Sequence, residues 1–281
     1  MKKSFLIAAA GIVAVGGLTI AAVNQWGSAE SKNATTKNVT AEHANEIESI
    51  HDEVDLPYAM SFYIDHQPHS IQFQKNGFSQ PKPILTQAEF EPIEMEKYFT
   101  TSLMSKDVFK ALPISDNMIF YAGVQSNLDP NLWVYLERVD EGKDFNVRMY
   151  NTLTKEKKIL FGRENSPNKD YAYRPFAFSN DNSVVYLEGL IFDLFPEHEE
   201  VWELNLETLE FKELPLHSFY DYTPAMSPDG KYFLYTAASQ PTDVHVTPNQ
   251  LYIYDLEKDK EIRVIADDKA FIGMIGWIKA K

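Results

Sequence analysis

Four places in this sequence carry side chains that could do chemistry. Asp65-His66-Gln67-Pro68-His69 sets two imidazoles beside a carboxylate, the donor types that hold zinc or a related metal. Pro68 equally suits a turn between two strands, and no metal or other cofactor is expected there. Glu197-His198-Glu199-Glu200 is acidic enough to attract a cation but reads as a solvated hairpin tip. Asp116, Asp181 and Asp229 recur at one place in a repeated pattern and could be taken for a ring of catalytic carboxylates. A carboxylate pair for acid–base work must converge on one pocket, whereas equivalent turns of separate repeats stay apart. An Asp side chain also accepts backbone N–H groups in tight turns. Asp116, Asp181, Asp229 and the neighbouring Gly230 are therefore expected to shape turns, and no catalytic residue is assigned. The fourth place is a pair of aromatic segments, Tyr171-Ala172-Tyr173-Arg174 and Phe219-Tyr220-Asp221-Tyr222. Tyr and Arg are enriched where proteins bind partners, so Tyr173, Arg174, Tyr220 and Tyr222 are the candidate binding residues. Aromatic packing between repeats is the competing reading of the same residues.

Other chemistries are excluded by what the chain lacks. It has no Cys, so disulfides, thiolate zinc sites and a Cys nucleophile are out. No Gly-x-Ser-x-Gly, His-Glu-x-x-His, P-loop or dinucleotide fingerprint occurs. The 281 residues carry 26 Lys+Arg against 41 Asp+Glu, a formal charge of −15. That balance argues against nucleic acid, or an anionic membrane surface, as the main partner.

The elements that must position these residues begin at an N-terminal export segment. Lys2 and Lys3 precede an uncharged run from Phe5 to Val23, and Gly27-Ser28-Ala29 suits a signal-peptidase site. Residues 1–29 are read as a signal peptide cleaved after Ala29 or as an uncleaved membrane anchor, and either places the body outside the cytoplasm. Without them the balance is 24 basic against 41 acidic residues, a net of −17. Residues 30–53, rich in Ser, Asn, Thr, Lys and Glu with no aromatics, form a polar linker. Ile47, Ile50 and Val54 fall at helical spacing at its end.

Residues 54–281 are organised by a repeat. Ile114-Ser115-Asp116-Asn117, Phe178-Ser179-Asn180-Asp181 and Met226-Ser227-Pro228-Asp229-Gly230-Lys231 each lead through a turn into an aromatic and β-branched run. A second pattern follows each: Val147 to Lys155, Val201 to Thr208 and Leu251 to Lys258, alternating strands that reach Asn or Asp and turn back as hairpins. Together they give four short antiparallel strands per repeat. Asp181 to Asp229 is 48 residues and Asn205 to Asp255 is 50, but Asp116 to Asp181 is 65. Four strands at this period read as β-propeller blades.

The Ser-Pro-Asp-Gly-Lys run at 227–231 and the Leu251-Tyr252-Ile253-Tyr254-Asp255-Leu256 strand resemble the repeats of TolB-like, WD-type propellers over about residues 112–278. The second repeat lacks the Pro and Gly, and the first keeps only Ser115-Asp116-Asn117. The resemblance implies a fold unit more than a function, because propellers host many activities. Such propellers also precede prolyl-oligopeptidase-like domains, whose nucleophile elbow is missing here.

The expectation is an all-β chain: a small propeller of four-stranded antiparallel blades behind an N-terminal signal or anchor helix. Tyr58 to Ile64, Ser70 to Gln74 and Phe271 to Ile278 are expected to complete one blade from both ends of the chain. That makes four blades, or five if residues 86–111 hold another strand set; an open array closed by dimerisation is the alternative. The function expected is an exported, non-enzymatic binding or protein-interaction module. Its partner would be an unidentified protein or cell-envelope component, with no nucleic acid and with membrane contact only through the N-terminal segment. The alternative is a hydrolase or lyase with an acidic site in the channel.

Overall fold

A computed structural model describes residues 56–74, 77–86, 89, 91–92, 98–101, 121–138, 144–191, 200–216, 224–238 and 248–280. The expected signal or anchor at 1–29, the linker at 30–53, Asp116, the Glu197-His198-Glu199 run, Tyr220 and Tyr222 lie outside them.

The described chain is almost entirely strand. β1 (Tyr58–Ile64), β2 (Gln67–Ile71), β3 (Phe73–Gln74), β4 (Gly77–Phe78) and β5 (Lys82–Pro83) come first. β6 (Tyr98–Thr101), β7 (Tyr121–Gln125), β8 (Leu132–Arg138), β9 (Phe145–Asn151) and β10 (Lys157–Gly162) follow. Then come β11 (Tyr171–Phe178), β12 (Val184–Ile191), β13 (Glu200–Asn205) and β14 (Phe211–Leu214). β15 (Ala225–Met226), β16 (Tyr232–Ala237), β17 (Gln250–Asp255), β18 (Lys260–Ala266) and β19 (Ile272–Lys279) end the chain. They assemble into sheets ordered β19-β1-β2-β5, β6-β7-β8-β9-β10, β11-β12-β13-β14 and β15-β16-β17-β18, with β3-β4 a small separate hairpin. All the pairings are antiparallel, and the described strands build four blades of a small propeller. Of residues 86–111, only β6 is a described strand, and it extends the second blade at its inner edge.

The first blade joins the two ends of the chain. β1 pairs with β19 from Tyr58↔Lys279 to Ile64↔Ile272, with one bulge between Ser61 and Phe62. Strand periodicity then sorts the side chains. Tyr58, Met60 and Phe62 of β1 enter a core shared with Leu234, Leu251 and Ile253 of the fourth blade, while Ala59 packs on the opposite side with Ile84 and Ile278. Trp277 binds the joint twice: its ring meets Tyr58 edge-on at 5.2 Å, and its indole N–H donates to the Ala225 carbonyl at 3.0 Å.

Similar apolar cores fill the next two joints. Phe145, Phe161 and Tyr173 lie between the second and third blades, and Phe176, Tyr186 and Phe233 between the third and fourth. Burying one such side chain stabilises the fold by about 1.5–3 kcal/mol. β11 serves both cores because a bulge at Pro175/Ala177 resets its alternation. Proline, lacking an N–H, is tolerated at such a bulge.

The first repeat is phased differently from the sequence expectation. In the third blade, Ser179 N donates to the Val184 carbonyl and Asn182 N to the Ser179 carbonyl. In the fourth, Ser227 N donates to Tyr232 and Gly230 N to Ser227. The second blade shares the first of these bonds, Ser126 N to Leu132, and closes its longer turn with Leu132 N to Asp129, so its turn is Ser126–Asn131 and its carboxylate is Asp129. Measured between these serines, the spacings are 53 and 48 residues, which removes the irregular 65.

Gly230 has φ +69° and sits directly against the Asn180 side chain of the neighbouring blade, where a Cβ would overlap it. Gly230→Val therefore meets a conformational and a steric barrier at once and is expected to cost about 2–4 kcal/mol. Asn180→Ala should recover the steric part in the double variant and leave the conformational part, a non-additivity that thermal melts of the four proteins will measure.

Candidate functional site

The propeller has two unlike faces. Turns between first and second strands (Ser126–Asn131, Ser179–Ser183, Ser227–Lys231) emerge on the same face as the hairpins between third and fourth strands. Backbone bonds tie the two sets together in every one of these blades: Thr152 N to Asn131 O, Leu206 N to Ser183 O and Leu256 N to Lys231 O. Tyr58, where the described chain enters its first strand, and Lys279, where it leaves its last, lie on this turn face too. The ends of the second strands and the starts of the third lie on the other face.

A common chemistry builds each turn. The serine hydroxyl accepts backbone N–H groups: from Leu128 and Asp129 at Ser126, from Val184 at Ser179, and from Lys231 and Tyr232 at Ser227. The aspartate accepts one more, from Asn131 at Asp129, Ser183 at Asp181 and Lys231 at Asp229. At Asp181, the Ser183 N–H and the Ser183 and Ser179 hydroxyls hold the carboxyl down to about 2. The hairpins use the same device, Asn151, Asn205 and Asp255 each accepting two backbone N–H groups.

The turns also bind one another around the ring. The Ser126 hydroxyl of the second blade donates to Asn182 Oδ1 of the third at 2.7 Å. Asn180 Nδ2 of the third donates to the Asp229 carbonyl of the fourth. Tyr58 of the first donates its hydroxyl to Asp229 Oδ2 at 2.6 Å. Asp229 thus serves its own turn through Oδ1 and the neighbouring blade through Oδ2. The carboxylates remain in separate blades, one per turn.

Tyr173 and Arg174, expected on a loop, lie inside β11. Tyr173 is 0% exposed, packed against Phe145 and Phe161 of the second blade, with its hydroxyl accepting the Asn168 N–H at 2.9 Å. Its ring belongs to an inter-blade core, because strand alternation turns it inward. Arg174 Nε donates to Glu188 Oε2 across the β11–β12 pair at 2.7 Å, and Glu188 is fully buried. Sequence reasoning missed this pair, and also Glu137, which holds Arg148 and Lys157 within the second blade. Like-placed charges on adjacent strands were the available signal, but it needs the register first.

The two histidines fall apart. Asp65 and His66, at φ +47° and +66°, form the tight turn between β1 and β2. Asp65 Oδ1 accepts the Phe271 N–H, His66 stacks on the Phe271 ring, and His69 stacks on Phe62. Among the described residues no group of three metal-ligating side chains converges.

No protein-family model matches the chain, and no curated protein does. Solved structures do. TolB from Acinetobacter baumannii is 16% identical over 74% of this chain and 57% of its own, with a TM-score of 0.38. An oligogalacturonate lyase in complex with manganese is 11% identical over 53% of this chain and 34% of its own, TM-score 0.33. Dipeptidyl peptidase 4 of Porphyromonas gingivalis is 20% identical over 48% and 18%, TM-score 0.32. This chain spans little more than half of the first and less of the others. The four-stranded antiparallel blade is the unit that the TolB-like repeats implied.

Burial and Asp229 raise the pKa of Tyr58 far above the normal tyrosine value, and burial likewise raises Tyr173, Tyr252 and Tyr254. A raised folded-state pKa gives stability that is complete below the unfolded value near 10 and is lost as pH rises above it. The midpoint of thermal unfolding is therefore expected to fall steeply above about pH 10. Tyr58→Phe should cost about 1 kcal/mol at neutral pH and flatten that alkaline slope, while Asp229→Ala should cost about 2–3 kcal/mol because it strips both turn and joint. An alkaline slope that Tyr58→Phe leaves unchanged would count against this.

Proposed function

We propose that this chain is an exported propeller, held at or released from the outer face of the cytoplasmic membrane, that works as a non-enzymatic binding module. The observation carrying the reading is the unlikeness of its two faces. Short hydrogen-bonded turns and the chain's entry occupy one face, so a tether from residues 1–53 would approach there. The described strand ends that flank residues 139–143, 192–199, 217–223 and 239–247 lie on the other face, and the composition of these segments is the more varied. Binding residues concentrate on such connections carried by a rigid scaffold.

Tyr220 and Tyr222 lie in one of these connections, between β14 and β15. With Tyr173 and Arg174 committed to strand packing, they are the aromatic residues proposed for recognition. The acidic body, −17 without residues 1–29, favours a neutral or cationic partner and association that weakens with salt.

The test is Tyr220→Ala with Tyr222→Ala, followed by thermal melting and by capture of envelope proteins against the unaltered chain. The expected result is an unchanged melt with one or more partners lost. A melt lowered by several degrees would assign both residues to packing, and an unchanged melt with the same partners captured would remove this face from consideration.

A further inference from the structure

The hairpins of the second, third and fourth blades are internal controls for one another, and on the turn face the second differs from the third and fourth. Its hairpin segment 151–159 carries Lys155, Lys157 and Lys158 against Glu156, a net of +2. The equivalent 205–213 carries Glu207, Glu210 and Glu213 against Lys212, a net of −2. The equivalent 255–263 carries Asp255, Glu257, Asp259 and Glu261 against Lys258, Lys260 and Arg263, a net of −1. Lys157 is engaged by Glu137, but Lys155 and Lys158 stand exposed at the tip. At the hairpin's third position the other blades have Glu207 and Glu257, whereas this one has Leu153, 74% exposed.

The adjoining turn adds to the same spot. Ser126 to Leu132 spans one residue more than Ser179 to Val184 or Ser227 to Tyr232, and Leu128 in that longer turn is 64% exposed. The Thr152 N–H bond to Asn131 O holds the two leucine-bearing loops side by side. Asp129, the acid in this turn, is half-buried and accepts the Asn131 backbone and side-chain N–H groups.

We infer that this tip, Leu128 and Leu153 flanked by Lys155 and Lys158, rests on the anionic lipid surface of the membrane that holds the chain. The inference rests on the reading of residues 1–29 as an uncleaved anchor. Two observations select lipid as the occupant. The tip is basic and apolar where the hairpins of the third and fourth blades are acidic, the pairing that interfacial lipid contact requires. It also lies on the face where the chain enters at Tyr58, and the 26 residues 30–55 reach at most about 90 Å. Such a tether keeps the local lipid concentration high, so two leucines and two lysines suffice where they would fail in free solution. The contact turns the opposite face outward.

The absence of native Cys permits a direct test on the full chain. Thr154→Cys and Thr208→Cys occupy equivalent hairpin positions, and each threonine hydroxyl makes the same bond, to Glu156 N and Glu210 N respectively. Each variant is labelled with an environment-sensitive fluorophore and reconstituted into phosphatidylethanolamine–phosphatidylglycerol vesicles containing brominated lipid. Flotation with the vesicles reports the anchor separately, and a chain that stays behind defeats the anchor reading and this inference with it. In floating protein, the label at 154 should be quenched at least about twofold more than that at 208. The excess should disappear with Leu153→Glu, with Lys155→Glu plus Lys158→Glu, or in phosphatidylcholine vesicles. Equal quenching at the two sites overturns the inference. So does shielding of position 154 that persists in detergent and grows with protein concentration, which would make the tip a contact between copies.

Discussion

Every joint described in this propeller depends on a tight turn whose side chains have two obligations. A buried backbone N–H in a turn must find an acceptor, and Ser and Asp supply it at short range. Here the same side chains then reach sideways. Ser126 engages Asn182, and Asp229 engages Tyr58, so the local solution to a turn is also a bond between blades. The apolar cores lie beneath these bonds and supply most of the stabilisation, but packing alone is weakly directional. The bonded turns fix how far one blade is rotated against the next.

Much of this was legible in the sequence because strands and turns are local. The Ser227-to-Lys231 turn, the hairpins at Asn151, Asn205 and Asp255, and the blade assembled from residues 58–85 and 271–278 follow from alternation and turn chemistry. The second blade's turn escapes fixed spacing because Ser126 and Asp129 carry its bonds with one extra residue between them, while Ser115-Asp116-Asn117, which resembles the motif in composition, lies outside the described residues. An insertion inside a turn hides the motif from fixed spacing while leaving the serine-to-strand backbone bond and the aspartate side-chain bond in place.

The side chains nominated for recognition divide for a related reason. Tyr173 and Arg174 precede the Ser179 turn, and sequence alone does not say where the connection ends and the strand begins. β11 starts at Tyr171, so alternation sends Tyr173 into the core, and register delivers Arg174 to Glu188. A buried ion pair of this kind adds little net stability, yet it forbids any arrangement that would leave either charge alone. It helps specify the seating of the third blade more than it strengthens it.

The pairing of β1 with β19 has a consequence for the order of events as the chain is made. β1 emerges early, but its partner strand is the last one, more than two hundred residues later. Until residues 272–279 are available, one edge of β1 presents unpaired N–H and C=O groups, and Tyr58, Met60 and Phe62 lack Trp277 as a cover. Contacts of such sequence separation form slowly. The interval between the appearance of β1 and the arrival of β19 is when the chain is most open to strand addition from a neighbour. A chaperone that caps sheet edges would act in that interval, and its natural target is the first blade.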